Sequence, residues 1–144
     1  MFGNKITNYK IDGERMIVEV ASVTEEHLVF IHKHGDNHIT QDSYAYFRDK
    51  QFIGVILLEK RGESNELLGI SFAGIQGSKC VHSIVVVDRR YRNNGFGSEL
   101  LKRKKEICDN LNLTLLPNVS DKNLSSLAIC RKIGIKANII QRER

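Results

Sequence analysis

The chain has 144 residues and a net charge of +5, which suits a single domain spanning residues 1–144 and is too short for two. Its three scattered cysteines form no C-x-x-C pair and no metal-binding spacing with the five histidines, so we expect no metal site and a reducing compartment, the cytoplasm. No apolar run approaches the ~18 residues of a membrane span, and the N-terminus has no apolar signal segment, so we expect no membrane partner.

The N-terminal part of the chain predicts two elements. Residues 16–22 alternate apolar and polar side chains and predict a strand, and the Asp12-Gly13 pair before them is a hairpin-turn signal. Residues 24–35 predict a helix, because Thr24 is a suitable N-cap, acidic residues fill the first turn and Gly35 follows the last turn.

The next segment predicts β-structure. Residues 43–60 predict a hairpin whose turn lies near residues 49–51. The polar residues 61–66 predict a loop, and residues 67–75 predict a further strand. Hairpins of this kind make the first half of the sheet antiparallel.

The second half alternates predicted strands and helices. Residues 81–87 read as a buried strand, 96–110 as a helix, 113–119 as a strand, 123–134 as a helix and 135–141 as a last strand. One apolar stripe on the first of these helices contains Phe96, Leu100, Leu101, Ile107, Cys108 and Leu111. Alternation of this kind implies some parallel pairing, so the fold class is α+β, or mixed α/β, in one layered domain.

The positive charge is concentrated in this second half. Residues 81–144 carry thirteen basic and six acidic side chains, whereas residues 1–80 carry nine and eleven. An anionic partner is therefore expected at the second half, and a solvated basic face is the alternative.

The segment VVVDRRYRNNGFGSEL joins the buried strand to the helix and has the composition of an anion-binding loop. The first N–H groups of a helix lack intrahelical partners, and phosphates satisfy them. Asn93, Asn94 and Gly95 tolerate the positive φ that turns backbone amides inward, Gly95 and Gly97 have no side chain to block a phosphate, and Arg92 can add a bidentate contact. An ordinary βα turn is the alternative. The P-loop and dinucleotide patterns fit poorly, because no Lys-Ser/Thr pair follows and the third glycine is absent.

The run Arg92-Asn93-Asn94-Gly95-Phe96-Gly97 resembles the R/Q-x-x-G-x-G/A signature of the GNAT acyltransferase superfamily, which binds the pyrophosphate of acetyl-CoA. Val87 followed by DRRYR resembles the lead-in to that signature. Downstream, residues 119–135 resemble the family segment V-x-x-x-N-x-x-A-x-x-x-Y-x-x-x-G-F, with Asn123 in the Asn place and Gly134-Ile135 in the Gly-Phe place. The two motifs cover roughly residues 81–135.

The resemblance implies a single GNAT-like domain with a central mixed, partly splayed β-sheet, about four helices and acetyl-CoA as co-substrate. Pantetheine would lie in the splay and bond to the backbone of Val85 and Val87, and Pro117 is compatible with a strand that diverges there. Asn123 would touch the pantetheine or the splayed strand, with a plain N-cap as the alternative. The pyrophosphate would be held by backbone amides of Arg92, Asn93, Asn94, Gly95, Phe96, Gly97 and Ser98. The basic run Lys102–Lys105 would serve the nucleotide phosphates in part, or form a solvated helix face.

The catalytic groups follow the family less closely. Cys130 occupies the place of the family's tyrosine proton donor, so we expect it to protonate the departing thiolate; a water molecule in that role, or a small buried side chain, is the alternative. The positions where the family carries a base hold Ser83 and Val81, and alternation directs His82 to the other face. Deprotonation through water is the simplest expectation.

The chain leaves room for one strand after the Gly-Phe place, whereas the family usually has two. The N-terminal segment or a homodimer partner would supply the missing pairing.

The function implied by the resemblance is N-acetyl transfer from acetyl-CoA to a primary amine by direct attack on the thioester. The acidic first half favours a small cationic amine or a protein amine as acceptor. There are two alternatives: an acetyl-CoA-binding module without turnover, and an acyltransferase acting on nucleic acid. The nucleic-acid hypothesis ranks third, because a CoA phosphate already accounts for the positive charge.

Overall fold

The computed structural model describes residues 9–10, 13–35 and 51–141 of the chain. Its strands and helices, in chain order, are β1 (Tyr9–Lys10), β2 (Arg15–Val20), α1 (Glu25–His34), β3 (Phe52–Arg61), β4 (Ser64–Gln76), β5 (Lys79–Val87), a 3-10 helix (Arg89–Tyr91), α2 (Phe96–Asn110), β6 (Thr114–Leu115), β7 (Asn118–Ser120), α3 (Leu124–Ile133) and β8 (Asn138–Ile140).

The strands form one large sheet and one small sheet. The large sheet has the order β1-β2-β3-β4-β5-β6, antiparallel from β1 to β5 and parallel between β5 and β6. The small sheet pairs β7 with β8 in parallel. The mixed α+β class is therefore confirmed, and the described residues contain three α-helices against the expected four or so.

The helices begin and end at the residues that the sequence indicates. Thr24 caps α1 by accepting the His27 N–H at 3.3 Å, and the Thr24 N–H donates to His27 Nδ1 at 3.1 Å. Asn123 caps α3, and Gly134 closes it with a φ of 89°. The bounds of α2 match the prediction at both ends.

The sheet separates two apolar cores. Helices α2 and α3 cover one face, where Leu100 and Cys108 are completely buried. Helix α1 covers the other face, where Ile31 and Phe72 are buried. Each helix thus buries one apolar stripe against strands that are buried on both faces, as a three-layer domain requires.

Two predictions about the strands are wrong. The predicted loop at residues 61–66 is a tight turn at Gly62 and Glu63, with a φ of 64° at Gly62, and β4 already begins at Ser64. The predicted strand at 113–119 is two strands in different sheets, separated at Pro117, which cannot donate to a ladder. The second arm of the hairpin predicted at 43–60 is β3, and its first arm lies outside the described residues.

The last predicted strand and the N-terminal segment also differ from expectation. The strand predicted at 135–141 is the three-residue β8. The described part of the N-terminal segment, β1, pairs with β2 at the edge of the large sheet opposite β6. This pairing places β1 away from β8, so β1 does not supply the strand expected beside the chain's C-terminal unit.

Candidate functional site

A gap opens in the sheet beside β5. Strand β5 pairs with β6 only at Lys79 and Cys80, and the last hydrogen bond runs from the Leu116 N–H to the Cys80 carbonyl at 3.0 Å. Beyond Pro117 the chain continues as β7, which pairs with β8 instead. Among the described strands, residues 81–87 therefore have no partner on this edge, which confirms the predicted splay.

The backbone groups of Val85 and Val87 point to this open edge. The Asp88 N–H donates to the Leu68 carbonyl of β4 at 2.8 Å. Backbone groups alternate between the two sides of an antiparallel strand, so those of Val86 and Ile84 also face β4. Those of Val85 and Val87 face the gap, where a pantetheine was predicted to bond. The Val87 carbonyl accepts a bond from Arg92 Nε at 3.2 Å.

A β-bulge interrupts β5 near the start of this edge. Ile84 lies opposite Phe72 and Val81 lies opposite Gly74, so two residues of β5, His82 and Ser83, face one residue of β4. The extra residue puts Cys80 and Ser83 on the same face of the sheet, where each contacts α2. Strict alternation of side chains along β5 therefore does not hold across the bulge.

A short 3-10 helix leads from β5 into the predicted phosphate loop and is held by Asp88. The buried Asp88 carboxylate accepts the Arg90 N–H at 2.9 Å and two bonds from the Arg90 guanidinium, at 3.1 and 2.8 Å. These bonds hold the pKa of Asp88 at about 2, although burial opposes the shift. The carboxylate thus fixes the direction in which the chain leaves β5.

We expect Asp88→Asn to destabilise the fold by about 2 kcal/mol near pH 7, because the lost charge interacts with Arg90 only when Asp88 is ionised. The folded-state pKa is depressed, so this contribution is present above about pH 4 and is lost as the pH falls toward about 2. Urea unfolding of both proteins at several pH values measures it. Asp109→Asn is the matched control, because Asp109 is an exposed carboxylate paired with Lys105. It should change the free energy of unfolding by less than about 0.5 kcal/mol. A gap between wild type and Asp88→Asn that stays constant down to about pH 2 would contradict the assignment.

The loop has positive φ at two of the three predicted positions. Asn93 has a φ of 68° and Gly95 a φ of 81°, whereas Asn94 does not lie in this region. The Asn94 side chain instead donates to the Tyr91 carbonyl at 3.1 Å and closes the turn. Gly95 makes no side-chain cap for α2, and the first helical bond is that of the Glu99 N–H to the Gly95 carbonyl at 3.1 Å. The first amides of α2 therefore have no intrahelical acceptor.

The two glycines meet different constraints. A Cβ on Gly95 would contact nothing within 4 Å, so its positive φ is what requires glycine. A Cβ on Gly97 would lie 3.7 Å from side-chain atoms of both Val85 and Val87. The first turn of α2 thus lies close to β5 at Gly97, with room for a Cβ in ordinary van der Waals contact.

Arg92 contacts protein rather than pointing freely into the loop. Its Nη2 donates to the His34 carbonyl at 2.6 Å, and its Nε donates to the Val87 carbonyl. The guanidinium therefore joins the C-terminus of α1 to the end of β5. The bidentate phosphate contact expected of this side chain stays a prediction. The Arg89 N–H also donates to His34 Nδ1, at 3.3 Å. Two hydrogen bonds, from Arg89 and Arg92 to His34, therefore connect the end of α1 to this segment.

The predicted residues of α3 are at the same face as α2. Cys130 is 3% exposed in the core beneath α2, and burial raises the pKa of its thiol. Asn123 Oδ1 accepts the Ser126 N–H at 3.1 Å, which is the contact of an N-cap. Contacts of Val85, Val87, Asn123 and Cys130 with a cofactor remain predictions.

Lys104 is the residue that sequence reasoning placed wrongly. The sequence predicts a phosphate-binding or solvated helix face for the run Lys102–Lys105, but the Lys104 side chain is completely buried between α2 and the sheet. Burial lowers the pKa of Lys104 to about 7. Its position four residues after Leu100 and four before Cys108 puts it on the apolar stripe, and this spacing was the available signal. Of its neighbours, Lys102 is exposed, while Arg103 and Lys105 form ion pairs along the helix with Glu106 and Asp109.

The family of the chain follows from a match to a protein-family model. The family model described as "Acetyltransferase (GNAT) family" matches residues 11–135. The chain therefore belongs to the GNAT acetyltransferase family. No curated protein matches the sequence as a relative.

Solved structures share the fold at low sequence identity. The ribosomal-protein-S18-alanine N-acetyltransferase from Escherichia coli has a TM-score of 0.65 and 14% identity, over 83% of this chain and 76% of that one. An aminoglycoside acetyltransferase from an uncultured soil metagenomic sample, in complex with sisomicin, has a TM-score of 0.66 and 10% identity, over 94% of this chain and 98% of that one. An acetyltransferase from Bacillus subtilis in complex with CoA has a TM-score of 0.57 and 15% identity, over 82% and 74%.

No group of three or more His, Cys, Asp or Glu side chains in the described part of the chain has the arrangement of a metal site. No helix within residues 13–35 or 51–141 combines the length and apolarity that crossing a bilayer requires.

Proposed function

We propose that the protein is an N-acetyltransferase that moves an acetyl group from acetyl-CoA to a primary amine by direct attack on the thioester. The observation that carries this proposal is the open edge of β5, which ends at the uncapped N-terminus of α2. A strand edge whose backbone groups are not paired with a neighbouring strand suits an amide-containing arm, and a helix N-terminus suits a pyrophosphate. The strand edge comes first and the helix N-terminus follows it along the chain. CoA likewise has its pantetheine arm joined directly to its pyrophosphate.

The loop and the strand then have separate tasks in binding. The amides from Arg92 to Ser98 hold the pyrophosphate, aided by the positive φ of Asn93 and Gly95. The backbone of Val85 and the Val87 N–H bond to the pantetheine, since the Val87 carbonyl already accepts a bond from Arg92. Both contacts orient the thioester along β5.

The chemical step needs a neutral amine and a proton for the leaving group. The amine nitrogen forms a bond to the thioester carbonyl carbon, the C–S bond breaks, the nitrogen loses a proton to water and the thiolate gains one. We propose that the Cys130 thiol supplies the thiolate's proton, directly or through water. Its raised pKa supports this, because the thiol stays protonated at neutral pH.

The acceptor is an amine of one of two kinds. The structural neighbours include an enzyme named for a ribosomal-protein alanine and one solved with the aminoglycoside sisomicin. The acidic first half of this chain favours a cation, so we propose a small cationic amine or a protein amine as acceptor.

Thermal unfolding with acetyl-CoA, ADP and no ligand tests the donor site. We expect acetyl-CoA to stabilise the fold by about 2.7 kcal/mol at a hundredfold excess over Kd, well above ADP. A folded, ligand-free sample that acetyl-CoA does not stabilise would overturn the proposal. Thiol release with a polyamine, an aminoglycoside and a peptide N-terminus then tests turnover. Stabilisation without thiol release from any of them would favour a binding module, the alternative that a cysteine in the tyrosine place supports.

A further inference from the structure

Lys104 makes three hydrogen bonds in the interior of the protein, all close to the bulge in β5. Its Nζ lies 2.6 Å from Ser83 Oγ, 3.2 Å from the Ile84 carbonyl oxygen and 3.1 Å from the Phe72 carbonyl oxygen. The side chain is completely buried, and no carboxylate among the described residues pairs with it. A buried lysine without a counter-ion is costly, so its position at the bulge calls for a reason beyond packing.

The bond to Ile84 acts on the edge that faces the gap. The Ile84 carbonyl and the Val85 N–H belong to one planar peptide unit, and in a trans peptide they point in opposite directions. The carbonyl faces β4 and accepts from Lys104, so the N–H of the same unit faces the gap. Whatever fixes the carbonyl therefore fixes the direction of the Val85 N–H.

The same bond also changes the strength of that donor. A carbonyl that accepts a hydrogen bond from an ammonium becomes more polarised, and the N–H of its peptide unit becomes a stronger donor. The effect is largest in a dry interior, and Lys104 is fully shielded from water.

The three partners of Nζ suit both protonation states of the lysine. The ammonium donates to two carbonyls and to the Ser83 hydroxyl, whereas the neutral amine donates to the two carbonyls and accepts from that hydroxyl. The titratable groups near Nζ are three thiols. Cys80 lies on β5, Cys108 on α2 and Cys130 on α3. Deprotonation therefore weakens the polarisation of the Val85 N–H without releasing the bulge.

We propose that Lys104 is a positioning residue for acyl-CoA, which aims and strengthens the Val85 N–H as a donor to the pantetheine arm through the peptide unit shared with Ile84. This inference rests on the proposed function, because it needs pantetheine in the gap. It assigns a role to a buried side chain that does not itself touch the ligand.

Two ligands separate this role from general stability. CoA carries the pantetheine arm, whereas 3′-phosphoadenosine 5′-diphosphate carries only the part that meets the phosphate loop. We expect Lys104→Met to weaken CoA binding about tenfold and to change binding of the nucleotide by less than about twofold, in calorimetric titrations. Lys132→Met, at an exposed lysine of α3, is the control and should change neither.

Each outcome of these titrations has one meaning. If wild type binds neither ligand, the proposed function fails. If wild type binds CoA and Lys104→Met binds both ligands with the wild-type ratio, the proposed function stands and the role of Lys104 is overturned.

A second measurement uses the wild-type protein, in case Lys104→Met does not fold. The amide proton shift of Val85 should titrate with Lys104 between about pH 5.5 and 8.5, while that of Val87, whose peptide unit does not contact the lysine, should change much less. A Val85 shift that does not follow the titration of the Lys104 ε-methylene protons, or that moves no more than the Val87 shift, would overturn the proposal.

Discussion

Gly95→Val is expected to abolish the stabilisation of the fold by acetyl-CoA, a loss of about 2.7 kcal/mol at a hundredfold excess of ligand over Kd. Gly95 has a φ of 81°, which a β-branched residue adopts only with severe strain. The loop will relax toward a negative φ, which reorients the backbone amides before and after Gly95. Thermal unfolding with and without acetyl-CoA measures the loss.

Gly77→Val is the matched control for this experiment. Gly77 also has a positive φ, 63°, and a Cβ there would likewise meet nothing within 4 Å. It lies in the turn between β4 and β5, at the end of the hairpin remote from the phosphate loop. The control should lower the stability of the free protein by a similar amount and keep the full response to acetyl-CoA. A full response in Gly95→Val would show that the loop is an ordinary turn.

Cys130→Ala is expected to lower kcat about a hundredfold and to leave the Kd of acetyl-CoA unchanged, because a general acid acts on the leaving group and not on the bound ground state. Steady-state thiol release and calorimetry give the two quantities. Because burial raises the pKa of Cys130, wild-type kcat should hold through neutral pH and fall only above the ordinary range of a thiol.

Two further variants separate proton donation from packing. Cys130→Ser keeps a proton donor of similar size, so it should retain more activity than Cys130→Ala. Cys108→Ala removes a buried thiol of α2 from the same core and should lower stability without a comparable loss of kcat. If Cys130→Ala and the wild type have equal kcat, Cys130 is a core residue only, and water donates the proton to the departing thiolate.

Local signals predicted the helices and the loop well. Helix α2 matches at both ends because a glycine at positive φ precedes an amphipathic run. The sequence predicted the splay only through the family resemblance and Pro117. The polar residues 64–66 read as a loop because they lie at the exposed end of a hairpin, where strand residues need not be apolar.

The remaining features depend on contacts between distant parts of the chain. The bulge at Ser83 is a property of the pairing between β4 and β5, and neither strand alone reveals it. Arg92 meets the carbonyl of His34, 58 residues away, so its partner is not visible in the motif. Lys104 was misassigned because lysine is almost never fully buried, although its helical spacing indicated the core.

The open edge of β5 also affects the tendency of the ligand-free protein to self-associate. A strand edge with exposed N–H and C=O groups is a template for pairing with another chain, and the three consecutive valines at its end favour such pairing. When a pantetheine arm lies along this edge, it takes the place of the absent neighbouring strand. Under the proposed function, binding of CoA would therefore also protect this edge from pairing with a second chain.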